Sequence, residues 1–74
     1  MKVIIADDER LAREGLINLV QWESHGLLVA GVARNGREAL DLARQEHPQL
    51  MIVDIRMPIM DGLELVKKVK SEFP

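Results

Sequence analysis

The 74 residues carry ten Lys and Arg against twelve Asp and Glu, for a net charge of −2, and 47% of them are hydrophobic. A chain of this size forms one small domain, its scattered basic residues indicate no direct contact with nucleic acid, and the lack of cysteine excludes disulfides and thiolate metal sites. No stretch approaches the roughly 18 apolar residues of a membrane span and no secretory signal is recognisable, so we expect a cytoplasmic protein with no membrane contact.

The first third of the chain predicts a strand followed by a helix. Residues 3–6 form a short apolar run rich in β-branched side chains, which is typical of a strand buried on both faces. The spacing then changes to helical intervals, in an apolar stripe made of Leu11, Leu16, Leu19 and Val20, with Ala12 and Gly15 between them. The pattern predicts an amphipathic helix over residues 9–21 and a loop over residues 22–26.

A second strand and helix follow. Residues 27–33 are apolar again and predict the second strand. Asn35 and Glu38 have the spacing of a capping box, in which the two side chains accept hydrogen bonds at the start of a helix. His47 precedes Pro48, and the residue before a proline avoids the helical region, so the second helix is predicted to end there.

The last third repeats the arrangement once more. Residues 50–54 predict the third strand, residues 56–58 a loop, and Asp61 with Glu64 a second capping box. The helix that follows is predicted to turn four apolar residues inward: Leu65, Val66, Val69 and Phe73. The alternation of strands and helices predicts an α/β fold with parallel strands and right-handed crossovers.

Three carboxylates follow strands that are predicted to lie in one parallel sheet. Asp7 and Asp8 follow the first strand, and Asp54 ends the third. The carboxyl ends of parallel strands share one edge of the sheet, which is where ligands bind in such folds. Two like charges about 4 Å apart repel by roughly 4 kcal/mol at an effective dielectric of about 20, so a converging trio requires a cation. Carboxylate and carbonyl oxygens suit Mg²⁺.

Each of these acids also has a structural interpretation. Asp7 and Asp8 can cap the first helix and favour its dipole, and Asp61 is placed to cap the third helix. Asp54 has no helix directly after it, although a single aspartate at the end of a strand is often only a loop residue. The residues alone leave both interpretations open.

Three segments of the chain together resemble the receiver domain of bacterial two-component response regulators. They are IIADDE at the end of the first strand, VARNGREAL around the second helix and IVDIRMPIMDGLEL around the third strand. The resemblance implies a flavodoxin-like parallel sheet in which the three strands take the order 2-1-3, with helices on both faces. It also implies a partner, the histidine kinase whose phosphohistidine supplies a phosphoryl group.

The resemblance assigns roles to residues at the carboxylate cluster. Asp54 is implied to be the phosphoacceptor, a carboxylate nucleophile. Asp8 and Asp54 are implied to bind Mg²⁺ directly, Asp7 through a water, and Arg56 through its backbone carbonyl. The loop around the site is implied to be shaped by four more residues: Met57, Pro58, Asp61 and Gly62.

The resemblance covers only part of a receiver domain. A full receiver has five βα units and residues 1–74 hold three, so we expect a truncated βαβαβα half that lacks the last two units, whether excised or naturally short. The hydroxyl residue that the family has after strand four and the lysine after strand five have no counterpart here. We therefore expect weak Mg²⁺ binding and slow or absent phosphorylation.

Two further expectations concern partners. The DIRMP segment and residues 22–26 resemble receivers joined to AraC-type helix-turn-helix domains, so we expect DNA to be reached only through a separate output domain. In the order 2-1-3 the third strand becomes an apolar edge, and such edges pair with other chains. We expect a homodimer, either through this strand or by exchange of elements.

Two other functions stay open. The chain can be a structural or engineered half-domain that only assembles, in which family residues persist without function. It can also be a phosphohydrolase with an aspartate nucleophile, although such enzymes carry a second acid two positions later, where this chain has Arg56. As a phosphoacceptor module, the chain is not expected to act as an enzyme.

Overall fold

Strands and helices alternate along the chain in the predicted order. The computed structural model describes residues 1–73. Its elements are β1 (Lys2–Ala6), α1 (Arg10–Leu19), a short 3₁₀ helix (Glu23–His25), β2 (Leu28–Ala33), α2 (Gly36–Glu46), β3 (Leu50–Val53) and α3 (Gly62–Glu72). The segment between α1 and β2, predicted as a loop, therefore contains one 3₁₀ turn, which ends at Gly26 in the left-handed conformation with φ 71°.

The three strands form one parallel sheet in the order β2-β1-β3, which confirms the flavodoxin-like arrangement. The connection from β1 to β2 and the connection from β2 to β3 cross the sheet in opposite directions. Because parallel crossovers are right-handed, α1 and α2 cover opposite faces of the sheet. α3 packs beside α2. The central strand β1 is buried on both faces, since Val3 through Ala6 are at most 1% exposed.

The main core lies between the sheet and the two helices α2 and α3. Its buried members are Ala6, Ala33, Ala39, Leu40, Met57, Met60 and Leu65. Two of them, Met57 and Met60, come from the loop between β3 and α3. This loop is therefore anchored by apolar burial at the same edge of the sheet where the carboxylates lie.

Asn35 and Asp61 cap α2 and α3 as the sequence predicted, but within residues 1–73 the side chain of Glu64 accepts no return bond in the second capping box. Asn35 Oδ1 accepts the backbone N–H of Glu38 at 2.8 Å, and Asp61 Oδ1 accepts that of Glu64 at 2.9 Å. The return half of the first box is shifted by one residue, because Glu38 Oε1 accepts the N–H of Arg34 rather than that of Asn35. α2 ends at His47, whose left-handed backbone, φ 49°, breaks the helix before the proline.

The amphipathic helix α1 is confirmed, but it is shorter than predicted and only part of the predicted apolar stripe is half-buried. The helix ends at Leu19, and none of its residues is fully buried. Leu11 and Leu19 are 71% and 85% exposed, whereas Arg13 and Ile17 are half-buried. The half-buried residues lie on one side of the helix at i, i+4 spacing. The inward face of the helix thus includes Ala12 and Leu16 of the predicted stripe, whereas the leucines at its two ends lie outside that face.

The inward face of α3 is narrower than predicted. Leu65 is fully buried, and Val69 and Phe73 are half-buried, but Val66 is exposed. Leu65 and Val69 are one turn apart and pack against the core, while Val66 lies beside them over an open groove next to β3. The side chain of Val66 therefore faces a space that no element within residues 1–73 fills.

Candidate metal and phosphoacceptor site

The acidic loop after β1 is tied to both neighbouring elements. Asp7 continues the strand pairing, since its N–H donates to the carbonyl of Ala33 at 3.1 Å. Its Oδ1 accepts the N–H of Glu9 at 2.9 Å, and its backbone carbonyl accepts Nη1 of Arg13 at 2.8 Å. Asp7 is half-buried, and Asp8, the next residue, is exposed.

Asp54 stands at the end of β3, where the strand leaves the sheet. Its N–H still donates to the carbonyl of Ala6 at 2.9 Å, so the backbone position of Asp54 is fixed by β1. Its Oδ1 accepts the N–H of Arg56 at 3.2 Å, and the residue is half-buried. The carboxylate of Asp54 therefore lies at the edge of the sheet, where it contacts both solvent and a backbone N–H.

The structure brings the three predicted carboxylates together. Asp7, Asp8 and Asp54 each offer one carboxylate oxygen, and these oxygens lie within 4.8 Å of one another. Such a set of hard oxygen donors on one open rim fits Mg²⁺, which binds one or two carboxylates and keeps several waters. The part of the backbone carbonyl of Arg56 in such a site stays a prediction.

Two glycines, each at the start of a helix, form hydrogen bonds and close backbone contacts with the loop between β3 and α3. Gly36, at the start of α2, donates its N–H to the carbonyl of Met60 at 3.1 Å, and a Cβ there would overlap that carbonyl. Gly62, at the start of α3, donates to the carbonyl of Ile55 at 2.9 Å, and a Cβ there would meet the carbonyl oxygen of Asp54 at 2.5 Å. Both helix starts are thereby packed against the site.

The predicted loop-shaping residues lie in this loop with distinct contacts. Met57 is buried in the core, Asp61 caps α3, and Gly62 closely approaches the backbone just after β3. Pro58 accepts the N–H of Met60 at 2.7 Å through its carbonyl. This bond closes a γ-turn centred on the residue between them, Ile59, whose φ is 69°.

Sequence reasoning missed three residues that bear on the site: Gly36, Ile59 and Arg13. The close approach of Gly36 to the loop joins residues far apart in sequence, and a β-branched residue gives no indication of a left-handed backbone. Arg13 was assigned no role. Its place in the first turn of α1, six residues after Asp7, is the feature that could have indicated a contact back to the loop.

Two arginines influence the charge of Glu38 in the first turn of α2. The backbone N–H of Arg34 donates to the carboxylate of Glu38, which holds the pKa of Glu38 below its ordinary value of 4.5. The guanidinium groups of Arg34 and Arg13 lower that pKa further, while desolvation opposes them.

Among the hydrogen bonds and ion pairs of residues 1–73, the only side-chain contact of a lysine joins Lys2 to Glu46.

Within the part of the chain that the structure describes, no helix has the length and apolar character needed to cross a membrane.

Comparison with known proteins agrees with this geometry. The family model described as response regulator receiver domain matches residues 3–74. YesN of Bacillus subtilis, an uncharacterized transcriptional regulatory protein, is 44% identical over 73 residues, which are 99% of this chain and 20% of YesN. The transcriptional regulatory protein LnrK of the same organism is 42% identical over all 74 residues, which are 33% of LnrK. The chain thus spans a fifth to a third of these relatives.

Solved structures give the same result. The REC domain of AraT, a response regulator from Geobacillus stearothermophilus, superposes with a TM-score of 0.94 and is 42% identical; the match covers 99% of this chain and 57% of that one. A two-component transcriptional regulator AraC from Clostridium phytofermentans superposes with a TM-score of 0.90 at 35% identity, over 100% of this chain and 60% of the other. With the family model spanning nearly every residue and the acidic edge in place, this chain belongs to the response regulator receiver domain family.

Proposed function

We propose that the chain is a phosphoacceptor module of two-component signal transduction, which takes a phosphoryl group from a histidine kinase onto Asp54. The convergence of Asp7, Asp8 and Asp54 within 4.8 Å is the observation that supports it. A carboxylate at the end of a strand, beside two others that can hold a divalent cation, has the components that phosphoryl transfer to an aspartate requires.

The contacts of Asp54 suggest how the transfer runs. Oδ1 is held by the N–H of Arg56, which leaves Oδ2 to attack phosphorus. The new O–P bond forms as the bond from phosphorus to the kinase imidazole breaks. The other ring nitrogen of the phosphohistidine carries a proton, so the imidazole leaves as the neutral base. A bound Mg²⁺ would neutralise charge on the transferring group. Asp8 and Asp54 would bind it directly, Asp7 through water, and Arg56 through its backbone carbonyl.

Asp7 is suited to the indirect role. Its Oδ1 already accepts the N–H of Glu9, and its backbone carbonyl accepts Nη1 of Arg13. The other carboxylate oxygen of Asp7 is free to accept a hydrogen bond from a metal-bound water. Asp8 makes no side-chain hydrogen bond within residues 1–73 and is exposed, so both of its oxygens can face the cation.

We propose that phosphorylation of this chain alone is slow. Phosphoryl transfer is accelerated by cationic side chains that stabilise the transferring group. The lysines of the chain are Lys2, which bonds to Glu46, and three on α3: Lys67, Lys68 and Lys70. The match to 57% of the REC domain of AraT supports the proposal that residues 1–74 make up part of a receiver domain.

The relatives suggest the setting in which the module works. YesN and LnrK are named transcriptional regulatory proteins, and the AraC regulator from Clostridium phytofermentans is a two-component protein. We therefore propose a cytoplasmic module that acts on transcription through a separate DNA-binding domain, contacts no nucleic acid itself and does not turn over substrate as an enzyme.

We also propose that the 74-residue chain associates with a second copy of itself through β3. Within residues 1–73 no strand pairs with the outer edge of β3, and an apolar groove of about 570 Å³ runs beside it. Leu50, Val66 and Phe73 line this groove. An edge of this kind, apolar and without a charged side chain between Leu50 and Val53, offers backbone groups for pairing.

Intact mass tests the phosphoacceptor. The chain is incubated with Mg²⁺ and a small acyl phosphate, and we expect a minor fraction to gain the mass of one phosphoryl group. The gain should disappear in Asp54→Asn and when Mg²⁺ is chelated. Asp61→Asn is the matched control, because asparagine caps α3 as well as aspartate does and the variant should still be modified. A gain that persists in Asp54→Asn would rule out Asp54, and complete modification would contradict slow transfer.

A further inference from the structure

One arginine reaches from α1 into the backbone of the acidic loop. Arg13 lies on the half-buried face of α1, and its Nη1 donates to the backbone carbonyl of Asp7 at 2.8 Å. Within residues 1–73, it is the only side chain that donates a hydrogen bond to the backbone of residues 7–9. The loop is thus tied to α1 by this contact and to β2 by the bond from Asp7 N–H to Ala33.

The bonded carbonyl belongs to the peptide that joins Asp7 to Asp8. A peptide unit is planar, so holding its oxygen fixes the plane and sets the direction in which the chain continues into Asp8. The N–H of Asp7 is held by Ala33 on one side of this residue and the carbonyl by Arg13 on the other. Both backbone groups of Asp7 are therefore satisfied, and Asp8 is presented from a fixed peptide.

The charge of Arg13 acts in the opposite direction on a cation. A positive group near the site offsets the mutual repulsion of the three carboxylates when no metal is bound, but it also repels an incoming cation. The hydrogen bond from Arg13 favours metal binding by ordering the loop, whereas the positive charge of Arg13 opposes it. Because the hydrogen bond and the charge change the affinity for Mg²⁺ in opposite directions, variants that remove one without the other can distinguish them.

We propose that Arg13 is a positioning residue of the acidic site, whose hydrogen bond to the carbonyl of Asp7 holds the peptide between Asp7 and Asp8 so that the three carboxylates are ready for a divalent cation. The identity of the cation as Mg²⁺ rests on the proposed function; the ordering of the loop does not. Groups that orient metal ligands without touching the metal commonly change its affinity by about 10- to 100-fold.

Magnesium titrations of three variants test the metal part. Arg13→Met keeps the apolar part of the side chain but loses both its hydrogen bond to Asp7 and its positive charge. We expect the dissociation constant for Mg²⁺ to rise by about tenfold. Arg13→Lys keeps a cation that can donate to the carbonyl and should stay within about threefold of the original. Arg10→Met is the matched control, because it removes the same charge from the same helix and, among residues 1–73, Arg10 forms an ion pair with Glu14 alone, at 3.5 Å. This variant should bind Mg²⁺ as well as the original or slightly better.

Amide hydrogen exchange without metal tests the ordering of the loop directly. The N–H of Glu9 donates to Asp7 Oδ1, and its exchange should be faster in Arg13→Met but unchanged in Arg10→Met. If Arg13→Met fails to fold, Arg13→Gln replaces it, since its amide is too short to reach the carbonyl. Equal Mg²⁺ affinity and equal exchange in the Arg13 and Arg10 variants would overturn the proposal. If the original chain binds no Mg²⁺, the proposed function fails, and the exchange of Glu9 alone decides the role of Arg13.

Discussion

Ile59 carries backbone strain in the loop that follows the candidate phosphoacceptor. Its φ of 69° lies in the left-handed region, where the branched Cβ of isoleucine crowds the backbone. The side chain gains little in return, because it is 78% exposed. Two hydrogen bonds of the next residue, Met60, hold this conformation. The N–H of Met60 donates to the carbonyl of Pro58, and the carbonyl of Met60 accepts the N–H of Gly36. The buried neighbour thus imposes the strain on the exposed residue.

Relieving this strain should stabilise the chain. We expect Ile59→Asn to raise the free energy of unfolding by about 1 kcal/mol, because asparagine tolerates the left-handed region and little apolar burial is lost. Urea unfolding followed by far-ultraviolet circular dichroism measures it. Ile55→Asn is the matched control, since Ile55 is also exposed, at 60%, in the same loop but with negative φ, and it should change stability by less than about 0.5 kcal/mol. Equal effects of the two changes would show that the backbone of Ile59 is not strained.

At the scale of elements, α2 and α3 are joined by an ion pair at their ends. Arg44 donates from Nε and Nη2 to the two carboxylate oxygens of Glu72 at 2.7 and 2.8 Å, and Asp41 lies 3.6 Å from Arg44. The hydrogen bonds from Arg44 hold the pKa of Glu72 below its ordinary value of 4.5, and those to Glu72 raise the pKa of Arg44. This paired geometry links the last turns of two helices that otherwise meet through apolar contacts.

The stability that this pair contributes should depend on pH. A carboxyl whose pKa is lower in the folded chain than in the unfolded one stabilises the fold above its ordinary pKa, and the contribution is lost as the pH falls. We expect Glu72→Gln to lower the urea midpoint at about pH 7, and the difference from the original chain to shrink as the pH falls below 4.5. Arg44→Gln should lower the midpoint similarly, and the double variant should lose little more than either single one. A deficit of Glu72→Gln that is the same at every pH would contradict this account.

The elements differ in how far the sequence could predict them. The helices α2 and α3 begin where Asn35 and Asp61 indicate, because a cap is a local bond between residues three apart. For α1, Glu9 at the N-cap makes no side-chain cap, and the buried side of the helix depends on how it lies against the sheet, which no local pattern encodes. For the same reason Asp54 could be predicted and Arg13 could not. Asp54 is recognisable as the polar end of an apolar strand, whereas the contact of Arg13 depends on which side of α1 faces the sheet.

At the scale of the whole molecule, the sheet has two edges of different character. β2 and β3 both flank β1 and both begin with an exposed leucine, Leu28 at 57% and Leu50 at 40%. The edge at β3 adjoins the apolar groove between α2 and α3, whereas the groove beside β2 is lined by the 3₁₀ turn and includes the polar residues Gln21, Glu23 and Ser24. We therefore expect self-association at the edge of β3.

Charging each edge in turn should identify the surface for self-association. At tens of micromolar, light scattering of the 74-residue chain should give the mass of a dimer. Leu50→Lys places a charge on the apolar edge strand and should give a monomer, because burying an unpaired ammonium in a strand interface is costly. Leu28→Lys makes the same change at the first position of the opposite edge strand and should leave the dimer intact. A monomeric mass for the original chain would refute pairing through β3, and a dimer lost only in Leu28→Lys would move the interface to β2. Should the dimer form while Asp54 takes no phosphoryl group, the chain would behave as an assembling half-domain without the phosphoacceptor function.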